Sequence, residues 1–371
     1  MIDSYLPDKP LSLYIHVPFC RSRCDYCAFY STIFDSDTRE AYYGILKKEL
    51  ENIVEDVKRP FHTIYFGGGN PLLLGVDRIL SLLERAQRYG KSRETTVEIN
   101  PEDVTPEIGK LYPEVTRIST GIQSMSDKTL TFLNRRTRRD DNIKAMEYLS
   151  SSPFIWNADI MTAVPGTDIA ETISDIEIVT GFKPHHISFY CLTFEEGTPL
   201  IRRSEPLGDE KESEFLLSGW KRLREKGFHH YEISAFARPG YECVHNSVYW
   251  TLGQYIGLGP QAESFLGFTT GTAMRNRENI EDFILNPGFD CEHLKKEETE
   301  ESYLLTSLRT DRGIEKKYYL DRFNLSFDDL YSERLTTLDP EWYINTDKSF
   351  SLTENGMLML NTVILTLSMA I

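Results

Sequence analysis

The sequence predicts an α/β fold built on parallel βα units, and three observations predict it. Short β-rich runs alternate with longer helical runs through the first two thirds of the chain, the pattern of right-handed crossover connections. The 371 residues, 40% hydrophobic and 26% charged, suffice for one large α/β domain and a smaller one. Glycines, cysteines and isolated polar residues cluster just at or after the ends of the β-rich runs, where the loops of a (β/α) barrel gather its reactive groups.

The six strands are expected at residues 11–17, 62–66, 95–99, 117–122, 154–161 and 185–190. Helices are expected at 38–57, 76–89, 127–133, 140–150, 168–180 and 209–226, with Asp35, Ser36 and Asp37 as N-cap candidates for the first. Six such units make an open barrel. Residues 290–299 alternate acidic and basic side chains after Pro287 and Gly288, which reads as a linker into a second domain. Beyond it, residues 342–344 and 350–352 alternate like a short hairpin, and a helix follows Thr353.

A net charge of -16 and a pI of about 5.1 exclude a nucleic-acid backbone as a main partner. The N-terminus has no basic stretch followed by an apolar one, so no secretory signal is expected. The apolar tail at 357–371 is too short to span a bilayer and reads as a core-packing terminal helix. Cys191, Cys243 and Cys291 are scattered without pairing logic, as suits a reducing cytoplasm.

The stretch YIHVPFCRSRCDYCAF after the first strand carries Cys20, Cys24 and Cys27. Three thiolates on one short loop can grip a cubane iron-sulfur cluster, which usually takes four cysteines, and so leave one iron open. A zinc knuckle completed by His16 or a distant cysteine, and incidental buried cysteines, remain alternatives. Gly67, Gly68 and Gly69 let backbone approach a ligand or simply make a tight turn. Glu98 reads equally as a solvated strand end, Arg135 as part of an exposed basic helix face, and Tyr14 as a core strand tyrosine.

The spacing CxxxCxxC after a strand resembles the signature of the radical S-adenosylmethionine (SAM) superfamily. With the further motifs below, the chain resembles the group of oxygen-independent coproporphyrinogen III oxidases and heme chaperones. That resemblance implies an open (β/α)6 partial TIM barrel at residues 1–235, a connecting segment at 236–290, and a C-terminal helical domain with a wing-like hairpin at 291–371. It implies a [4Fe-4S] cluster on Cys20, Cys24 and Cys27, with SAM held by Tyr14, Gly67, Gly68, Gly69, Asn70, Glu98, Gln123, Arg135 and Asp159. Several positions depart from the family pattern. Asn70 stands for a threonine, Ala163 and Gln261 stand for glycines, and Glu263 stands for a histidine.

The segment LLTSLRTDRGI resembles the family's C-terminal LRTxxGI, and HNSVYW matches the HNxxYW motif of the chaperone group, with His245, Asn246, Tyr249 and Trp250 in the matching places. By that resemblance His245 is a candidate heme contact, although a lone histidine is more often structural. The oxidase branch carries a fourth cysteine two residues past the third and a long N-terminal arm. Here Phe29 occupies that position, and ten residues precede the first strand. The resemblance therefore implies a cytoplasmic heme carrier that takes electrons from a donor and serves hemoprotein acceptors, membrane-associated ones among them. The rivals are oxidative decarboxylation of coproporphyrinogen III and another radical reaction on a tetrapyrrole. No nucleic acid is expected.

Overall fold

The computed structural model describes residues 5–368. Six parallel strands follow one another across the sheet: β1 Leu11–Val17, β2 Thr63–Gly68, β3 Glu94–Ile99, β4 Arg117–Gln123, β5 Ile155–Thr162 and β6 His186–Cys191. Two antiparallel strands, β7 His229–Glu232 and β8 Ala235–Ala237, extend the sheet beyond β6. On the other side of β1 come β9 Gln254–Leu258, β10 Glu263–Gly267, β11 Gly271–Asn276 and β12 Phe289–Leu294. The twelve strands lie in the order β12-β11-β10-β9-β1-β2-β3-β4-β5-β6-β8-β7, and no ladder among the described residues joins β12 to β7. The barrel is therefore open, as expected.

Helices α1 Ser36–Val57, α2 Val76–Ala86, α3 Asp127–Phe132, α4 Arg139–Ser151, α5 Ile169–Gly181 and α6 Asp209–Glu225 supply the crossovers and cover the outer face. Asp35 is the cap that α1 uses, accepting from Thr38 N at 2.8 Å. The α2 helix ends at Ala86, three residues before the expected end. Alternation along the strands sorts the side chains. Ile64, Phe66, Val97, Ile118, Trp156, Ile160, Ile187 and Phe189 are buried in the apolar core. The intervening Tyr65, Glu98, Ser119, Asn157, Asp159 and Ser188 face an inner cavity of about 440 Å³. At α6 the packing is close enough that a Cβ on Gly219 would lie 2.1 Å from the Phe189 ring.

The linker expected at 290–299 is corrected. Residues 289–294 pair with β11 in a six-position antiparallel ladder, and helix Lys296–Ser307 follows directly. Charge alternation here marks the exposed edge strand of a sheet, where charged side chains discourage further pairing. The hairpin expected near 342–352 is present as Tyr343–Asn345 against Ser349–Leu352, with Ile314–Glu315 of the LRTxxGI-like segment as a third strand. The terminal helix Leu360–Ser368 buries Leu360, Val363 and Leu367, as the tail's apolar content implies; residues 369–371 lie outside the described part.

Candidate functional site

All three cysteines of the loop after β1 are free thiols, partly buried. The loop is fixed at several points. Phe19–Cys20 pairs with Thr32–Ile33, Phe34 N donates to Cys20 O at 2.9 Å, and Cys27 N donates to Cys24 O at 3.2 Å. Asn134, at the end of α3, donates to Asp25 Oδ1 at 2.8 Å. Burial pushes the Cys20 thiol up to about 11 and raises that of Cys27 as well. Bound metal reverses that preference by ionising the thiol outright. Among the described residues no three His, Cys, Asp or Glu side chains are placed to hold a single metal ion. A cubane asks only that each thiolate reach its own iron, which three cysteines on one short loop can do.

The glycine run presses directly on this loop. A Cβ on Gly69 would lie 2.4 Å from Phe19 O and 2.9 Å from Cys20 Sγ. Gly68 has φ +110°, and its Cβ would meet the His16 ring at 2.7 Å. Gly67 packs against Tyr14, Tyr65 and Glu98, each 3.0 Å from where its Cβ would be. Tyr14 itself bonds His16 Nδ1 at 3.0 Å. Asn70, at the threonine position of the family pattern, is buried and caps the next turn by accepting from Leu72 N at 3.2 Å. It also donates to Asp103, which pairs with Arg21 of the cysteine loop. The substitution thus keeps a polar structural role.

Glu98 accepts from Tyr65 OH at 2.7 Å and from Gly68 N at 3.1 Å. Burial pushes its carboxyl up to about 7. Asp159, bonded by Asn157 at 2.7 Å, is likewise raised by burial. Gln123 closes β4 at φ +64°, a strained backbone for a non-glycine residue, and accepts from Tyr190 OH at 2.9 Å. Arg135 separates from its exposed neighbours Arg136, Arg138 and Arg139 by turning inward. It donates to Gly121 O at 2.7 Å and lies 3.8 Å from Cys24 Sγ. Burial opposes its charge, and Tyr26, Cys24 and Glu102 outweigh that and hold its pKa above the usual arginine value. Its Nε is buried with no partner among the described residues, a donor free for an anionic ligand. The residues at this end of the barrel therefore fit a cluster with a carboxylate-bearing ligand beside it.

A raised carboxyl has a testable consequence. Between its ordinary pKa near 4.5 and its folded value of about 7, Glu98 is protonated in the fold and ionised in the unfolded chain. Its contribution to stability is complete at the acidic end and is lost as pH rises through 7. Glu98→Gln removes this loss. Urea denaturation of the ligand-free protein should show the variant gaining on wild type between pH 5 and pH 8; an equal difference at both pH values contradicts the shift.

Two departures from the family's glycines keep the glycine backbone. Ala163 has φ +55° and Gln261 has φ +58°. A left-handed conformation costs a non-glycine residue roughly 1–2 kcal/mol. Gln261→Gly is expected to stabilise the protein by about 1 kcal/mol in urea denaturation. Ala163→Gly should gain less, because it gives up a buried methyl.

The HNSVYW motif forms helix α7, Val244–Trp250, and its four singled-out residues do not share one surface. Asn246 lines the inner cavity, and Trp250 lines a different one. His245 is buried, bonded through Nδ1 to Thr63 Oγ1 at 2.7 Å and through Nε2 to Tyr249 OH at 2.8 Å. Burial lowers its pKa to about 3. With both ring nitrogens engaged, His245 presents none to a heme iron in this conformation, and its visible role is to fasten α7 to β2. Sequence reasoning missed Tyr65, Tyr190 and His186, which complete the inner wall. His186 bonds Asn157 Oδ1 at 2.6 Å and Tyr231 OH at 2.7 Å. Their signal was the period-two alternation that puts Tyr65 with Gly67, and His186 with Ser188 and Tyr190, on one face of their strands.

An open (β/α)6 barrel with a CxxxCxxC loop at the C-terminal end of its first strand defines a protein of the radical SAM superfamily, whose profile matches residues 14–179. The heme chaperone HemW of Bacillus subtilis is 30% identical, over 95% of this chain and 97% of that protein. That of Escherichia coli is 34% identical over 72% and 73%. The chain belongs to the HemW family within that superfamily. Among solved structures, the Escherichia coli coproporphyrinogen III oxidase HemN superposes with a TM-score of 0.82 over 98% of this chain and 91% of its own, at 18% identity. That match bears on the fold alone.

Proposed function

We propose that this protein is a heme chaperone that carries a [4Fe-4S] cluster on Cys20, Cys24 and Cys27, binds SAM across the barrel mouth, and passes heme to hemoprotein acceptors. When bound, the cluster supplies an electron to SAM from an external donor. The protein's own residues do the rest. Gly67, Gly68 and Gly69 would offer backbone to the methionine part of SAM, and the unpartnered Arg135 Nε would donate to its carboxylate. Glu98, ionised by a nearby cation, holds its ammonium, while Gln123, Asp159, Tyr14 and Asn70 complete or brace the pocket. No helix among the described residues is long and apolar enough to cross a membrane. All six cysteines are free thiols, which supports a reducing, cytoplasmic location.

The observation that carries the choice of chaperone over oxidase is Phe29. Two residues past Cys27, where the oxidase branch has a further cysteine, a ring 72% exposed stands at the rim of the inner cavity. The reconstituted protein is expected to transfer heme to an apo-hemoprotein and to leave coproporphyrinogen III unchanged in the presence of SAM and reductant. Robust decarboxylation overturns the reading.

A further inference from the structure

At the opposite end of the strands from the cysteines lies a second cavity of about 640 Å³, a size suited to a drug-sized or larger organic ligand. Lys9, His62 and Arg93, the residues that lead into β1, β2 and β3, reach it from the barrel side. Trp250, Phe268, Tyr303 and Tyr318 give it aromatic walls. Buried Arg322 braces one side by donating to the carbonyls of Phe268, Thr251 and Leu252 at 2.8, 3.0 and 3.1 Å.

We propose that this cavity is the heme site, with His62 and His229 as the side chains that reach the iron and Lys9, Arg93 and Arg312 as the cations that receive the carboxylates. The proposal rests on the heme-binding reading above and moves the ligand away from His245. The imidazole of His62 makes no hydrogen bond among the described residues, so both of its nitrogens are open. His229 lines the same cavity with Nε2 held 3.0 Å from Asp311 Oδ2. A carboxylate on one imidazole nitrogen is the usual partner of a histidine that ligates metal through the other. Lys9, Arg93 and Arg312 form no salt bridge among the described residues, although the chain carries a net charge of -16. Lys9 sits 4.3 Å above the Phe268 ring. Glu242, Asp311 and Glu315 also line the cavity, so unpaired cations and carboxylates share its rim. The indole N–H of Trp250 is buried without an acceptor among the described residues. A flat, apolar macrocycle with two carboxylates matches aromatic walls, free cations and open imidazoles together.

The test is a hemin titration of the full chain, followed by the Soret band. Wild type is expected to bind with a histidine-ligated spectrum. His62→Ala combined with His229→Ala should change the Soret position, and Lys9→Glu with Arg312→Glu should weaken binding by roughly tenfold or more. The charge variants sit on partly or fully exposed side chains and leave the core untouched, and iron content with circular dichroism reports folding for every variant. Wild-type binding with unchanged spectrum and affinity in both folded variants overturns this cavity while leaving the chaperone reading intact. Absence of hemin binding by wild type overturns both.

Discussion

Cys24→Ala is expected to abolish cluster incorporation while leaving the fold in place. A cubane on three thiolates already has one iron without a protein ligand, and removal of another thiolate leaves two. The neighbouring donors are committed elsewhere: Glu98 to Tyr65 and Gly68 N, Asp159 to Asn157, Cys191 to the Glu212 carbonyl, and His16 to Tyr14 and the Tyr30 carbonyl. The loop's own hydrogen bonds run through the backbone and through Asp25 and Asn134, so they survive the substitution. Anaerobic reconstitution should give visible cluster absorption and stoichiometric iron for wild type and for Cys191→Ala, and neither for Cys24→Ala. Full iron content in Cys24→Ala would sink the cluster assignment.

The largest effect on stability is expected at Arg117. Its Nε pairs with Glu94 Oε2 at 2.9 Å, with both side chains almost wholly buried. Its Nη2 donates to the carbonyls of Tyr241 and Glu242 at 2.9 and 3.1 Å. The other oxygen of Glu94 accepts from His245 N at 3.0 Å. This pair therefore fastens the start of α7 to the N-terminal ends of β3 and β4, between the two cavities. Arg117→Met leaves a buried carboxylate without its counter-ion, and loss of one partner of a buried pair typically costs about 3–5 kcal/mol. Chemical denaturation measures it. The double variant Arg117→Met with Glu94→Gln should lose less than the sum of the singles, because the second change removes the stranded charge. A loss within 0.5 kcal/mol of zero for Arg117→Met contradicts the pairing.

The contrast between Cys24 and His245 shows what the sequence made legible. Cysteines spaced 20, 24 and 27 on one loop can converge only locally, so their spacing alone narrows the chemistry. His245 matched a motif just as well, yet its ring is occupied by Thr63, which lies 182 positions away in the chain. No local pattern reports that contact. The same holds for Arg135, one of four nearby arginines, which only the turn of its side chain toward Cys24 sets apart.

Sequence periodicity determined the six parallel strands, their crossover helices and the ends at which the cysteines and glycines gather, because each of these is a local consequence of backbone propensity and alternating burial. The edge strand at Phe289–Leu294 escaped it, since an exposed strand carries charges and lacks an apolar face. Tertiary structure alone decided that His245 is engaged, that the HNSVYW helix is shared between two cavities, and that three unpaired cations meet the imidazoles of His62 and His229 at the N-terminal end of the barrel. Those outcomes depend on contacts between residues far apart in the chain, whose partners are chosen by packing and by the cost of leaving buried polar groups unsatisfied.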